Sequence, residues 1–235
     1  MMAEALIALD VDNCLMPVNE PADPSTRERL FRLEEAGGHL VYASGKPCLY
    51  LSGLARGLGT MGAPLIGENG AETWLDSTMP TRTLVPHLTD EEVAGLAAIR
   101  EEVAREFGDR VFFQPNRVGV TAFPFGDLTP AAIADHISVT VGTPEGLICY
   151  EHVDSADWAV ERINKGDALL RLAEELGIAR EYLAAVGDSA NDLPMLRVAA
   201  LAVWVGAPDA LEGADVELYS EIDDALDRVL EWFAG

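Results

Sequence analysis

Two carboxylates follow a short apolar segment near the beginning of the chain. Asp10 and Asp12 come directly after residues Ala5 to Leu9, whose apolar run predicts a buried strand. Carboxylates at positions i and i+2 past such a strand can turn toward one site, one as a nucleophile and the other as a general acid and base. A solvated turn held by side-chain hydrogen bonds would have the same sequence, so this pair alone leaves both interpretations open.

A hydroxyl, a glycine and an ammonium group follow the second predicted strand, Leu40 to Ala43. Ser44, Gly45 and Lys46 could together hold a phosphate through the hydroxyl, an exposed backbone N–H and the positive charge. The alternative is a helix N-cap in front of Pro47.

A second lysine opens a predicted helix. Lys165 precedes Gly166 at this helix start, where a positive charge opposes the helix dipole. A bound anion would remove the conflict, and an exposed lysine is the alternative. The chain has 16 basic residues, of which only Lys46 and Lys165 are lysines.

The densest polar cluster follows another predicted strand, Leu183 to Val186. Gly187 permits a tight turn there, and Asp188, Asn191 and Asp192 supply oxygen atoms. Mg²⁺ in proteins is usually held by one or two carboxylates together with phosphate and water. Because Asp and Asn also cap helices well, an N-capping loop is the alternative.

Short apolar segments alternate with amphipathic ones around these motifs, which predicts a parallel α/β sheet with helices on both faces. Further strands are predicted at Pro64 to Ile66 and Leu201 to Val205, and helices at Ser25 to Ala36, Cys48 to Gly57, Asp167 to Leu176, Asp192 to Val198 and Ile222 to Phe233. Ligands of such sheets bind beyond the carboxyl ends of the strands, where the four polar motifs lie.

The alternation changes in the middle of the chain. Helices are predicted there at Thr89 to Phe107 and Pro130 to Ile137, and strands at Val111 to Gln114, Val118 to Phe123 and Gly146 to Glu151. The sequence therefore predicts a core formed by residues 1–75 and 156–235, with an α+β domain of residues 76–155 inserted between its two halves.

The charge of the chain excludes several kinds of partner. There are 40 acidic residues and a formal net charge of −24, which should repel nucleic acid and anionic membranes. The longest apolar run, Val198 to Val205, is too short for a membrane span. Three widely spaced cysteines without a CxxC pair argue against a zinc site and a disulfide framework. We therefore expect a cytoplasmic monomer or homodimer that binds neither nucleic acid nor a membrane.

The four motifs together identify a family. The strings LDVDNCL, YASGKP, NKGDALL and VGDSANDLPML resemble the four motifs of the haloacid dehalogenase (HAD) superfamily of phosphatases, over essentially the whole core. This resemblance implies a Rossmann-like parallel-sheet core. The inserted α+β domain resembles the type C2 cap that such proteins carry between the second and third motifs. The string Gly67 to Ala71 is similar to a segment that precedes that cap.

The resemblance implies a role for each catalytic residue. Asp10 would be the nucleophile and Asp12 the general acid and base, which distinguishes the chain from haloacid dehalogenases because these lack the second aspartate. Ser44 and Lys165 would bind the transferring phosphoryl group, and Gly45 would support it.

The resemblance also implies Mg²⁺ as cofactor. The Asp10 carboxylate and the Asp12 backbone carbonyl would bind it, with Asp188 as a further ligand. Asp192 and Asn191 would support the metal, directly or through water.

The chain departs from the family pattern at two places. Asn13 and Cys14 stand where many relatives have Gly-Thr, and we expect Cys14 to be a small buried residue. Lys46 replaces a common arginine or asparagine, so its role stays open. In the cap, Arg117 and His152 are candidate substrate contacts; the alternatives are a surface turn residue and a structural histidine.

The stretch SGKPCLYLSGLARGLG…GAPLIGENGAETW and the small cap most resemble archaeal-type phosphoglycolate phosphatases. The small phosphorylated substrate implied by this resemblance is 2-phosphoglycolate. Sucrose-phosphate and mannosyl-3-phosphoglycerate phosphatases share the cap type, and phosphomannomutase-like phosphotransferases share the Asp-x-Asp chemistry. A non-catalytic binding protein on the same fold is a third class.

Overall fold

The computed structural model describes residues 5–208, 211 and 213–234 of the chain. These residues fold into two compact units, which we call the core (up to Leu84 and from Asn164 onward) and the insert (Val85–Ile163). Within the described ranges, no helix has both the length and the apolar character needed to cross a membrane.

The first half of the core contains five strands and two helices. In chain order they are β1 (Ala5–Asp10), α1 (Pro24–Glu35), β2 (Gly38–Ala43), α2 (Cys48–Leu58), β3 (Leu65–Gly67), β4 (Glu72–Trp74) and β5 (Thr83–Leu84). The insert follows with α3 (Asp90–Phe107), β6 (Val111–Phe113), β7 (Val120–Pro124), α4 (Pro130–Thr140), β8 (Leu147–Glu151) and β9 (Ala156–Val160). The core then resumes with α5 (Lys165–Leu176), β10 (Leu183–Gly187), α6 (Leu193–Val198), β11 (Leu201–Val205), β12 (Glu217–Tyr219) and α7 (Ile222–Ala234).

The core sheet confirms the predicted α/β class. Its strand order is β12-β11-β10-β1-β2-β3-β4-β5, parallel from β12 to β3 and antiparallel at β4 and β5. Every residue of β1 is buried, as expected for a strand with helices on both faces. Ile7 and Leu9 belong to one hydrophobic cluster, and Leu6 and Ala8 belong to another. This alternation follows the two-residue period of a strand.

The central strands bring the motifs together. β1 pairs with β10 on one side and with β2 on the other, all in parallel. The carboxyl ends of these three strands therefore meet at one edge of the sheet, which carries Asp10, Ser44 and Asp188.

The insert is a four-stranded antiparallel sheet with the order β6-β7-β9-β8. Helices α3 and α4 pack against it. They contribute Ile99 and Ile133 to a buried layer that also holds Trp158. This unit is thus an α+β sandwich with a hydrophobic core of its own.

The bounds of the insert differ from those predicted from the sequence. The structural unit spans Val85–Ile163, whereas the sequence pattern placed the insert at residues 76–155. Strand β5 pairs with β4 and so belongs to the core sheet, while β9 pairs with β7 and β8 and so belongs to the insert. The sequence pattern also missed four strands, β4, β5, β9 and β12. Two of these strands carry buried carboxylates, Glu72 and Asp157, which interrupt the apolar pattern.

Candidate active site

A buried lysine connects two carboxylates at the edge of the core sheet. Lys165 Nζ donates to Asp10 Oδ1 and to Asp192 Oδ1, each over 2.6 Å. The side chains of Lys165 and Asp192 are fully buried, and that of Asp10 is 7% exposed. The interpretation of Lys165 as an exposed lysine is therefore wrong, since two negative charges stabilise its position at the helix N-terminus.

Burial and charge set the protonation of these groups. Burial raises the pKa of Asp10 well above its usual range, and the neighbouring Asp192 charge raises it further, against the effect of Lys165. Burial alone would lower the pKa of Lys165, but the charges and hydrogen bonds of Asp10 and Asp192 raise it overall. The lysine therefore keeps its proton at neutral pH.

Two glycines allow these side chains to approach one another. A Cβ atom on Gly166 would lie 2.3 Å from the Pro194 carbonyl oxygen, and one on Gly187 would lie 2.5 Å from Asp192 Cβ. The first contact lets the start of α5 approach the start of α6, and the second lets the end of β10 pass beside Asp192. Both positions therefore require a residue without a side chain.

Asp192 has a structural role as well as its contact with Lys165. Its Oδ2 atom accepts from the backbone N–H groups of Asp188 and Ser189, each over 3.1 Å. Ser189 and Asp192 form a capping box. The N-capping interpretation of this loop is thus also realised, and one carboxylate serves both purposes.

Asp188 offers a site for a cation. Its Oδ1 atom is buried and has no hydrogen-bond partner among the described residues. Asp10, Cys14 and Asp188 each place one possible ligand atom within 4.8 Å of the others. Burial and the Asp192 charge raise the pKa of Asp188 to about 6. An unpaired carboxylate oxygen beside a second carboxylate fits a divalent metal ion, whose charge would favour both ionised forms.

The Ser44 loop differs from the helix cap that was considered as its alternative. The N-cap of α2 is Pro47, with no side-chain hydrogen bond. The Ser44 hydroxyl instead accepts from the Lys46 backbone N–H over 3.2 Å. It still has its own hydrogen to donate to a ligand. A Cβ on Gly45 would lie 3.4 Å from the side-chain nitrogen of Asn69, so this loop is closely packed.

Asp12 lies beside Lys46. The distance from Lys46 Nζ to Asp12 Oδ2 is 3.6 Å, and the two side chains are 29% and 27% exposed. Asp12 is thus much more accessible than Asp10. Cys14 is buried, as the sequence predicted.

Asn69 is a buried residue of the site to which the sequence motifs assign no role. It has a φ angle of 54°, and its Oδ1 accepts from Asn191 Nδ2 over 3.2 Å. The available signal was the Asn-Gly pair at positions 69 and 70, since Asn and Gly tolerate left-handed backbone conformations.

Arg117 and His152 both lie exposed in loops of the insert. Arg117 is in the β6–β7 connection, next to the end of β7 at which Val120 pairs with Trp158. His152 is in the β8–β9 turn, where its backbone N–H donates to the Ser155 carbonyl. The strand register therefore puts these loops at opposite ends of the insert sheet, separated by roughly 16 Å of strand.

The sequence matches the family of haloacid dehalogenase-like hydrolases over residues 7–107 and 149–230. These segments include every motif residue of the core site. The chain belongs to this family. Within it the chain is a phosphatase, an enzyme that hydrolyses phosphoric monoesters, and the prediction of family and enzyme class is confirmed.

Three relatives illustrate how far the similarity of this HAD phosphatase extends. The 5-amino-6-(5-phospho-D-ribitylamino)uracil phosphatase YcsE of Bacillus subtilis is 26% identical, over 96% of this chain and 94% of that protein. A phosphoglycolate phosphatase of Methanoculleus marisnigri is 28% identical, over 85% of this chain and 82% of that protein. The crystal structure of a haloacid dehalogenase-like hydrolase from Bacteroides thetaiotaomicron superimposes with a TM-score of 0.75 at 19% identity, covering 96% and 99% of the two chains.

Proposed function

We propose that this phosphatase requires Mg²⁺ and hydrolyses a small phosphorylated metabolite through an aspartyl phosphate on Asp10, with 2-phosphoglycolate as the first candidate substrate. The contact between Lys165 Nζ and Asp10 Oδ1 carries the proposal. It combines a nucleophilic carboxylate and a permanent positive charge at the end of a central parallel strand, where such sheets bind ligands.

The proposed chemistry begins with attack by the Asp10 carboxylate on phosphorus, which releases the alcohol of the ester. Hydrolysis of phosphate monoesters is so slow in water that catalysis must supply upwards of about 20 kcal/mol. Lys165 and the Ser44 hydroxyl would donate to the equatorial oxygens, where charge accumulates in the transition state.

Asp12 is the proposed general acid and base. Its partial exposure supports this role, because the water that hydrolyses the aspartyl phosphate must be able to reach the group. It would protonate the leaving oxygen and then take a proton from the water that hydrolyses the aspartyl phosphate.

Mg²⁺ would be held by the Asp10 carboxylate, the Asp12 backbone carbonyl and Asp188. When bound, it supplies the charge that brings a carboxylate and a phosphate dianion together. Asp192 already accepts hydrogen bonds at both oxygens, so we assign it a supporting role, and Asn191 likewise.

The insert is the proposed source of substrate selectivity, with Arg117 and His152 as candidate contacts. Since they lie at opposite ends of the sheet, a small substrate would be in reach of one of them rather than of both. Exchanging each for alanine should therefore affect KM unequally.

Two relatives support different substrates. The Methanoculleus phosphatase supports 2-phosphoglycolate, in line with the stretch that resembles archaeal-type enzymes. The Bacillus phosphatase is similar over nearly the whole chain, which supports a phosphorylated ribityl compound as second candidate. Sugar phosphates and a mutase reaction are the further alternatives.

The test is phosphate release by the purified protein with Mg²⁺ from a panel containing 2-phosphoglycolate, the phosphoribityl compound and sugar phosphates, beside an Asp10→Asn control. We expect Mg²⁺-dependent release that the control lacks and a clear preference for 2-phosphoglycolate. Faster turnover of another ester would replace the substrate and keep the mechanism. Transfer of phosphate between sugar positions without free phosphate would indicate a mutase.

A further inference from the structure

A three-residue turn lies between the loops of the core site. This turn, residues 68–70, follows β3. Its Glu68 N–H donates to the Lys46 carbonyl over 3.0 Å, and its Asn69 N–H donates to the Ser44 carbonyl over 3.1 Å. The turn therefore supports the backbone of the loop that carries the phosphate-binding hydroxyl.

The Asn69 side chain extends this support to the metal-binding loop. Asn191 Nδ2 donates to Asn69 Oδ1 over 3.2 Å. The Ser189 hydroxyl donates to Asn191 Oδ1 over 2.5 Å, and the Ser189 backbone N–H donates to Asp192 Oδ2 over 3.1 Å. Asp192 in turn accepts from Lys165. A continuous series of hydrogen bonds thus runs from the turn to the buried lysine.

The turn keeps an unfavourable backbone conformation to make these contacts. Glu68 and Asn69 have φ angles of 50° and 54°, and both are buried. A Cβ on Gly70 would lie 2.3 Å from the Asn164 carbonyl oxygen, beside Lys165. Consecutive residues with positive φ other than glycine persist only where their surroundings impose that conformation, and such residues concentrate at functional sites.

We propose that Asn69 is a positioning residue of the phosphatase reaction. It holds the Ser44 loop and the Asn191 loop at a fixed separation, so that the phosphoryl-binding hydroxyl and the metal support keep their relative placement. This inference rests on the proposed function, because it takes Asn191 as a support of the Mg²⁺ site. Partners of this kind, one layer behind the ligands, typically change metal affinity or activity by about 10–100-fold when removed.

The decisive variant is Asn69→Gly, since glycine keeps the positive φ without strain and removes only the amide. We expect Mg²⁺ affinity, measured by calorimetric titration, to fall about tenfold and kcat/KM to fall by about 10–100-fold. Asn19→Gly is the matched control, because Asn19 also has a positive φ, 63°, and lies exposed on the surface of the core unit. Its Mg²⁺ affinity and turnover should equal those of the wild type.

Two further variants separate positioning from general destabilisation. Asn69→Asp keeps an oxygen that can accept from Asn191 and should retain most of the Mg²⁺ affinity. Asn191→Ala should lower the affinity, and adding Asn69→Gly to it should cause little further loss, because both changes remove the same hydrogen bond. If the glycine variant does not fold, Asn69→Ser takes its place, since its shorter side chain cannot span the same distance.

The outcomes are distinguishable. Wild-type Mg²⁺ affinity and turnover in Asn69→Gly, or fully additive losses with Asn191→Ala, would overturn the role of Asn69 and leave the proposed function standing. A wild-type protein that neither binds Mg²⁺ nor releases phosphate would overturn the proposed function, and this inference with it.

Discussion

Lys165 Nζ lies 2.6 Å from Asp10 Oδ1, although 155 residues separate them in the chain. The lysine begins a helix in the second half of the core, and the aspartate ends the first strand. Their contact therefore forms only when both halves of the core sheet are assembled. It joins the folding of the core to the formation of the proposed catalytic group.

The Lys165→Met variant should lose both stability and activity. It would leave Asp10 and Asp192 buried without a positive partner, and breaking a buried ion pair from one side typically costs about 3–5 kcal/mol. The loss of phosphoryl stabilisation should lower kcat by at least about a hundredfold. Urea unfolding and phosphate release measure the two effects.

A second substitution separates these two effects. Asp192→Asn added to Lys165→Met removes one of the two uncompensated charges, so we expect part of the stability to return while activity stays low. Recovery of activity in the double variant would contradict the role of Lys165 in phosphoryl binding.

Asp188→Ala should have opposite effects on stability and on metal response. The variant removes a buried oxygen without a hydrogen-bond partner, so the metal-free protein should keep or gain stability, by up to about 1–3 kcal/mol. The wild type should be stabilised by Mg²⁺ through mass action, and the variant should lose that response. Thermal unfolding with a chelator and with excess Mg²⁺ tests this, with the exposed Asp215→Ala as control. A variant that Mg²⁺ stabilises like the wild type would remove Asp188 from the metal site.

Alanine substitutions at three glycines should show two opposite effects on stability, a loss where the added Cβ meets other atoms and a gain where it only favours the helix. Gly187→Ala and Gly166→Ala place a Cβ within 2.5 Å and 2.3 Å of other atoms and should each destabilise the core by about 1–3 kcal/mol. A Cβ added to Gly53, inside α2, would meet nothing within 4 Å apart from the adjoining backbone of its own helix, so Gly53→Ala should stabilise by about 0.5–1 kcal/mol. Urea unfolding gives all three values, and equal effects would disprove the packing argument.

The insert should show a pH dependence of its own. Arg162 makes two hydrogen bonds to the buried Glu92 carboxylate, over 3.0 and 2.7 Å, and these hold the pKa of Glu92 below its usual 4.5. A lowered carboxyl pKa contributes stability above pH 4.5, and this contribution disappears as the pH falls through the folded-state pKa. Glu92→Gln should therefore be less stable than the wild type at pH 7, and the difference should shrink below pH 4. A constant difference in thermal unfolding across that range would contradict this prediction.

Part of the fold and of the site can be predicted from local sequence features. The apolar strands and the polar residues that end them are local features, and parallel pairing of β10, β1 and β2 necessarily brings Asp10, Ser44 and Asp188 to one edge. The fold class, the family and the motif residues of the proposed site therefore follow from local features of the sequence.

Which charges are buried, and what they contact, depends on the tertiary structure. Whether Lys165 is exposed or buried depends on residues far away in the chain. The same is true of Asp192, whose carboxylate both accepts from Lys165 and caps a helix. The same holds for Asn69 and for strands β5 and β9, whose partners set the bounds of the insert. Burial of a polar group is stable only when its partners are supplied by other segments, and no local pattern specifies those partners.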